Sequence, residues 1–313
     1  MATSFPTSEA IPAGTQQAPR QRTWSLYLWL APALILYTLF KLLPMIAGIF
    51  ISLLRWDGIK DPVFIGLLNF QRMFTDDQLI PAFMHNLQYA LGTVVGKILI
   101  ALLLAIMLNQ ALRGQTFYRT LLFMPVVLSF VVISVLWTWL YNDQFGLVNA
   151  LLRAVHLDNL AVQWLGDAKY ALASIMFVDI WKWYGFHMII FLAALQTIPQ
   201  EYYEAARVDG ASRWQQFISI TLPQLRPVMV INITLALLGA FNVFDIPYIM
   251  TQGGPAGATN VLALYSYSQA FQFGKLGYGA AISYALLILV SIVALIQLRV
   301  VASDETYSDS DAL

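Results

Sequence analysis

Residues 204–223 read EAARVDGASRWQQFISITLP, and they form the least apolar long segment in the middle of an otherwise greasy chain. Ser212 followed by Gln215 fits a capping box and predicts a helix near 213–219. Thr197 followed by Gln200, with Pro199 in the first turn, predicts an earlier helix over 199–208. Gly210 between them permits a turn that no other residue makes as cheaply. Pro223 and Pro227 are expected to end the segment. Residues 196–226 therefore read as a helix–turn–helix at a membrane surface. Ala205 and Ala206 offer a small face for close approach. Glu201, Glu204 and Asp209 alternate with Arg207 and Arg213, so the net charge is near zero. That suits a docking surface better than a lipid-headgroup anchor, which would be basic.

The surrounding composition fixes the solvent. Of 313 residues, 59% are apolar and only 11% charged, and mean hydropathy is +0.68. A water-soluble core cannot hide that much apolar surface, so most of the chain is built for lipid. The formal net charge is zero, and nothing suggests nucleic acid. With no cysteine, disulfides, thiolate metal sites and cysteine nucleophiles are excluded. His85, His156 and His187 lie too far apart to show a metal-ligand spacing.

A span needs roughly 20 mostly apolar residues, because a helix rises about 1.5 Å per residue through about 30 Å of hydrocarbon. Segments near 26–53, 86–109, 120–141, 170–195, 227–250 and 277–299 meet this test. Backbone groups find no partner in lipid, so these are expected to be helices. The fold class is an all-α polytopic membrane protein with six transmembrane helices, occupying 24–300. Residues 1–23 read as a disordered tail, as does the acidic stretch 301–313. Lys and Arg favour the side holding Arg20, Arg22, Arg113, Arg119, Arg207, Arg213, Arg226 and Arg299, which places both termini and 196–226 in the cytoplasm.

Charges within a span cost roughly 2.5–3.5 kcal/mol on insertion scales, so each one asks for a reason. Asp179 and Lys182 are spaced to pair on one face of span 4. Lys97 in span 2 is read as a partner for a neighbouring acid. Trp181 and Trp183 sit too deep for an interfacial belt; they either pack in the core or offer faces that stack on flat ligands, sugar rings among them. Asn242 and Asp245 are spaced to face one cavity, or else Asn242 bonds a neighbouring helix and Asp245 is wetted at the outer end of its span. Ser129 and Phe130 in span 3 are further candidates. The sequence holds no G-x-x-x-x-G-K-[ST] loop, so any ATP energy is expected to come from a separate subunit.

Glu204, Ala205, Ala206, Gly210, Ile220, Leu222 and Pro223 stand at the spacing of the EAA loop. The chain thereby resembles the permeases of binding-protein-dependent ABC importers over about residues 24–300. FNVFD at 241–245, TQGGP at 251–255, Thr259, and the stretch 265–271 resemble the carbohydrate branch, and within it the first of two partner permeases. The resemblance is to compact six-span members rather than to the longer maltose permease.

That resemblance implies the type I permease fold of ABC importers and alternating access. Glu204, Ala205, Ala206, Asp209, Gly210, Ile220, Leu222 and Pro223 would make the coupling contact with the ATPase. The aromatic stretch of span 4 that contacts sugar in the maltose relative corresponds to 181–186. Trp181, Lys182, Trp183, Phe186, Asn242, Asp245 and Phe130 are the substrate-path residues expected here. The implied partners are a second homologous permease, two ATPase subunits that hold ATP and Mg, an extracytoplasmic solute-binding protein, a sugar and the lipid bilayer. No cofactor is expected in this chain, and the membrane is a bacterial or archaeal plasma membrane. The alternatives are an ABC permease for glycerol phosphate, polyamine or another small solute, and an ATP-independent transporter.

Overall fold

A computed structural model describes residues 23–110 and 113–310. The tail expected at 1–23 lies outside the described residues except at Thr23, as do the last three residues of the acidic tail. The chain divides into two compact units, 1–48 and 49–313. In the first, α1 (Thr23–Tyr37) leads through a wide π-turn at Thr38–Leu42 into α2 (Leu43–Ser52), whose last residues belong to the second unit.

In the second unit a two-residue ribbon follows, β1 (Leu54–Arg55) antiparallel to β2 (Val63–Phe64), with Leu54 opposite Phe64. Then come α3 (Leu68–Arg72) and the long span α4 (Leu79–Leu108). Next are α5 (Gln115–Val127), α6 (Phe130–Leu140) and the short α7 (Leu147–Ala154). The long span α8 (Ala168–Thr197) leads to α9 (Gln200–Val208) and α10 (Arg213–Gln216). Finally come α11 (Leu222–Phe241), α12 (Asp245–Met250), α13 (Leu262–Tyr267) and α14 (Leu276–Ser310). Among the described residues five helical stretches are long and apolar enough to cross a membrane, or six if α5 and α6 count as one.

Span 3 is where the structure departs most from a row of straight rods. The axes of α5 and α6 differ by 97° across Leu128 and Ser129. Ser129 is extended, and its hydroxyl accepts from the Val132 amide at 3.3 Å, an N-cap that starts α6 afresh. Span 5 is likewise divided, at Asn242 to Phe244. Its start also differs. Neither Pro223 nor Pro227 ends the preceding segment. A π-turn at Phe217–Thr221 joins α10 to α11 without a gap, Pro223 sits in the first turn of α11, and Pro227 lies inside it. Span 2 begins earlier than 86, at Leu79. The final helix runs to Ser310, through most of the acidic stretch, because neither Gly nor Pro follows Gly279 to stop it.

The core lies between the long spans α4 and α8, with α11 and α14 against it. Tyr89, Ile175, Val178, Met188, Phe191, Leu225 and Ile282 are fully or almost fully buried. Close approach is set by small residues, the packing that lipid rewards. At Gly185 a Cβ would lie 2.3 Å from the Leu122 carbonyl oxygen, so α5 and α8 touch backbone to backbone there.

The segment after β2 is tied down by the buried Asn69 and the half-buried Asp76. Asn69 donates through Nδ2 to the carbonyls of Ser52 and Leu54, both at 2.8 Å. Asp76 accepts from the hydroxyls of Tyr265, at 2.7 Å, and Tyr278. Partial burial pushes the Asp76 carboxyl up. The two tyrosine hydroxyls, the Gln78 amide and the Arg72 charge outweigh that and hold it below the ordinary 3.8.

Two outcomes follow from these contacts. A depressed carboxylate stabilises the fold fully above its unfolded pKa, and that contribution is lost as pH falls through the folded one. Thermal unfolding of the detergent-purified chain should therefore lose more stability between about pH 5 and pH 3 in wild type than in Asp76→Asn. Gly185→Ala should cost about 1–3 kcal/mol, because a backbone atom has to move. A melting temperature unchanged from wild type would refute that contact.

Candidate functional site: an exposed elbow and a polar cavity

The elbow spans α9 and α10. Its first turn is not the capping box expected at Thr197. That residue ends α8, where its hydroxyl donates to the Ala194 carbonyl at 2.8 Å, and Pro199 takes the N-cap position of α9. The second box is present. Ser212 Oγ accepts from the Gln215 amide at 3.3 Å, and Gln215 Oε1 accepts from the Ser212 amide at 2.7 Å. Between them the chain closes α9 as a Schellman motif. Gly210 has φ +79°, its amide donates to Arg207 at 3.1 Å, and the Ala211 amide donates to Ala206 at 2.8 Å. The Tyr203 and Thr221 hydroxyls share a hydrogen bond of 2.9 Å, tying α9 to the π-turn.

This elbow presents its surface outward. Glu204, Ala205, Asp209, Gly210 and Pro223 are exposed, while Ala206, Ile220 and Leu222 are half-buried. Val208 is 88% exposed and Trp214 67%, so the tip carries uncovered apolar area. Glu204 and Arg207 stand 4.0 Å apart in solvent, a contact of little energetic weight.

The second feature is a cavity of about 390 Å³ between α4, α6, α8 and the broken span α11–α12. Phe130, Trp183, Phe186, Asn242 and Asp245 all line it, joined by Lys97, Asp179 and His187. Helix geometry explains which span 4 residues gather. At about 100° per residue, positions 179, 183, 186 and 187 share one face of α8. Trp181 is about 200° away from Trp183 and points elsewhere. Its ring meets Trp137 of α6 at 5.5 Å, within an aromatic cluster that includes Tyr141 and Phe177. Lys182 is 2% exposed and does not line the cavity.

Nor does Lys182 take Asp179 as its close partner. The short contact of Asp179 is with Lys97, Nζ to Oδ2 at 2.5 Å, across the α4–α8 interface. It is a charge contact rather than an aligned hydrogen bond. Lys97 had to have an acid on a neighbouring helix, and the acid is Asp179. Lys182 donates instead to the carbonyls of Val126 and Leu128, at 3.2 and 2.6 Å. His187 Nδ1 and Asn232 Oδ1 lie 2.8 Å apart, joining α8 to α11. Asn242 turns its Nδ2 back to the Leu238 carbonyl at 2.8 Å, within its own helix end. Spacing along α8 already puts His187 on the face of Trp183 and Phe186, whereas only packing brings Lys97 of α4 to the same cavity.

A helical bundle with a polar cavity partway along its spans and an exposed elbow between two of them is built as a membrane transport subunit. The family comparison makes this specific. The chain belongs to the binding-protein-dependent transport system inner membrane component family, whose model matches residues 97–303. That range holds the elbow and every residue named around the cavity. A probable ABC transporter permease protein of Bacillus subtilis, YurN, is 39% identical over 87% of this chain and 94% of its own length. The trehalose/maltose transport system permease protein MalF of Thermococcus litoralis is 34% identical over 88% and 92%. The lactose transport system permease protein LacF of Rhizobium radiobacter is 33% identical over 91% and 97%. A chain of a bacterial ABC transporter involved in import of the acidic polysaccharide alginate superposes with TM-score 0.78 at 26% identity, covering 89% of this chain and 95% of that one.

The buried pair makes a clear prediction. Lys97→Met leaves the buried Asp179 carboxylate without its close cation, which should cost about 3–5 kcal/mol. Adding Asp179→Leu should recover most of that. The measurement is the monodisperse fraction after detergent extraction, with the melting temperature of each variant. A double mutant no better than the single one would show that the pair is not coupled.

Proposed function

We propose that this chain is the permease of an ABC importer for a sugar or oligosaccharide, with the cavity as part of the translocation path. The observation that carries the reading is the aromatic and polar wall formed together by Phe130, Trp183, Phe186, Asn242 and Asp245. Ring faces cover the apolar faces of a sugar, while the amide and carboxylate take its hydroxyls. The sugars named for the relatives, maltose, trehalose and lactose, support that class. In this reading Trp181 packs behind the wall. Sugar therefore meets Trp183 first.

The elbow is the coupling contact. Glu204, Ala205, Ala206, Asp209 and Gly210 form the surface offered to an ATPase subunit. Ile220, Leu222 and Pro223 fix the junction with span 5. Two such subunits bind ATP and Mg, and their closure drives the cavity from outward-facing to inward-facing. A second permease of the same family completes the path. A solute-binding protein delivers substrate from outside; the alginate transporter, solved in complex with a pentasaccharide-bound periplasmic protein, supports such a partner. Both termini and the elbow face the cytoplasm of a bacterial or archaeal cell.

Gly210→Pro forces φ from +79° to about −65° and should cut ATP-driven uptake at least roughly tenfold while the spans stay inserted. Glu204→Lys should weaken co-purification with the ATPase. Uptake and co-purification at wild-type levels in both variants would refute the coupling role. Trp183→Ala should raise the half-saturating sugar concentration about two- to tenfold, from the loss of one stacking face. Assays with maltose, lactose, glycerol 3-phosphate and spermidine separate the sugar reading from the other solutes.

A further inference from the structure

We infer that Lys182 is a positioning residue: it holds the break in span 3 and so sets the aromatic wall of the cavity. This rests on the cavity being the path proposed above. Three observations converge on it. The ammonium is nearly sealed from solvent, yet the acid one turn away on its own helix is engaged by Lys97. Its hydrogen bonds go to Val126 and Leu128, two carbonyls at the α5 end of the 97° bend. Its free side lies over two rings, 4.7 Å from the centre of Phe130 and 5.1 Å from that of Trp183.

Each contact has a physical reason. The carbonyls that close a helix have no intrahelical donor, and hydrocarbon supplies none. An ammonium carries three donors, so one side chain can serve two carbonyls separated by a residue. The carboxyl end of α5 is also the negative end of its dipole, which favours a cation there. The same cation attracts the faces of Phe130 and Trp183, whose centres are 6.1 Å apart. Phe130 is the first residue of α6 and Trp183 follows Lys182 on α8, so the lysine connects the bend to both rings. A lysine that touched substrate would open to the cavity; this one is sealed behind its wall.

The test uses the assembled importer in lipid vesicles, with companion subunits freed of cysteine; this chain has none. Spin labels at Leu121→Cys and Val135→Cys report the bend through the distance between them. Reaction of Gly239→Cys, which lines the cavity and has room for a side chain, with neutral 2-hydroxyethyl methanethiosulfonate reports the wall with the Phe130 ring in place. Lys182→Met should shift the interlabel distance toward about 21 Å, the length of fourteen residues of straight helix. It should also slow the thiol reaction roughly tenfold. Lys182→Arg and Lys182→Gln, which still donate, should keep the wild-type distance. A Met variant with both readouts unchanged overturns the inference, as does a Gln variant displaced as far as Met. Should the Met variant not assemble, Arg and Gln decide: both at the wild-type distance support the role, and either one shifted toward the straight length refutes it. A complex with the expected distances that imports no sugar refutes the proposed function and leaves this inference standing.

Discussion

In hydrocarbon, a backbone carbonyl without a donor costs several kcal/mol, and this chain interrupts two of its spans. Each interruption is met by a polar side chain. Lys182 serves the bend between α5 and α6, and Asn242 serves the end of α11. The same device recurs at other helix ends. Asn69 covers Ser52 and Leu54, and Gln115 covers Leu108. The donor at the α5–α6 bend comes from 54 to 56 residues away in sequence, so that break depends on tertiary packing, whereas Asn242 serves its own helix end.

The buried charges fit the same economy. One cation and one anion neutralise each other between α4 and α8, and the second cation answers helix-end carbonyls. Removing a single member leaves an uncompensated group in low dielectric, which costs far more than the pair contributes when intact. The polar groups that line the cavity thus belong to two sets. Lys97, Asp179 and His187 are engaged with protein partners, whereas Asp245 is open to the cavity.

Much of this was legible in the sequence. Apolar length alone placed the spans, and Ser212 with Gln215 announced the turn into α10, because a capping box is a local interaction. The identical signal at Thr197 misled, since that hydroxyl was already taken by the preceding helix. The 97° bend was not legible, because the donors that stabilise it lie on another helix. Asp179 and Lys182 looked like partners by spacing, but spacing within one helix cannot show a closer cation across an interface. Trp181 and Trp183 were adjacent candidates in a linear reading, and helical phase separates them.

The junction at Phe217–Thr221 has a mechanical consequence. From Arg213 to Phe241 the backbone is helical without a gap, about 43 Å along its contour, and it contains the wide turn at Phe217–Thr221 and Pro227. It runs from the exposed elbow to Asn242, where it stops at the rim of the cavity. In the coupling role proposed for the elbow, this one helix would be the link between the elbow and the cavity.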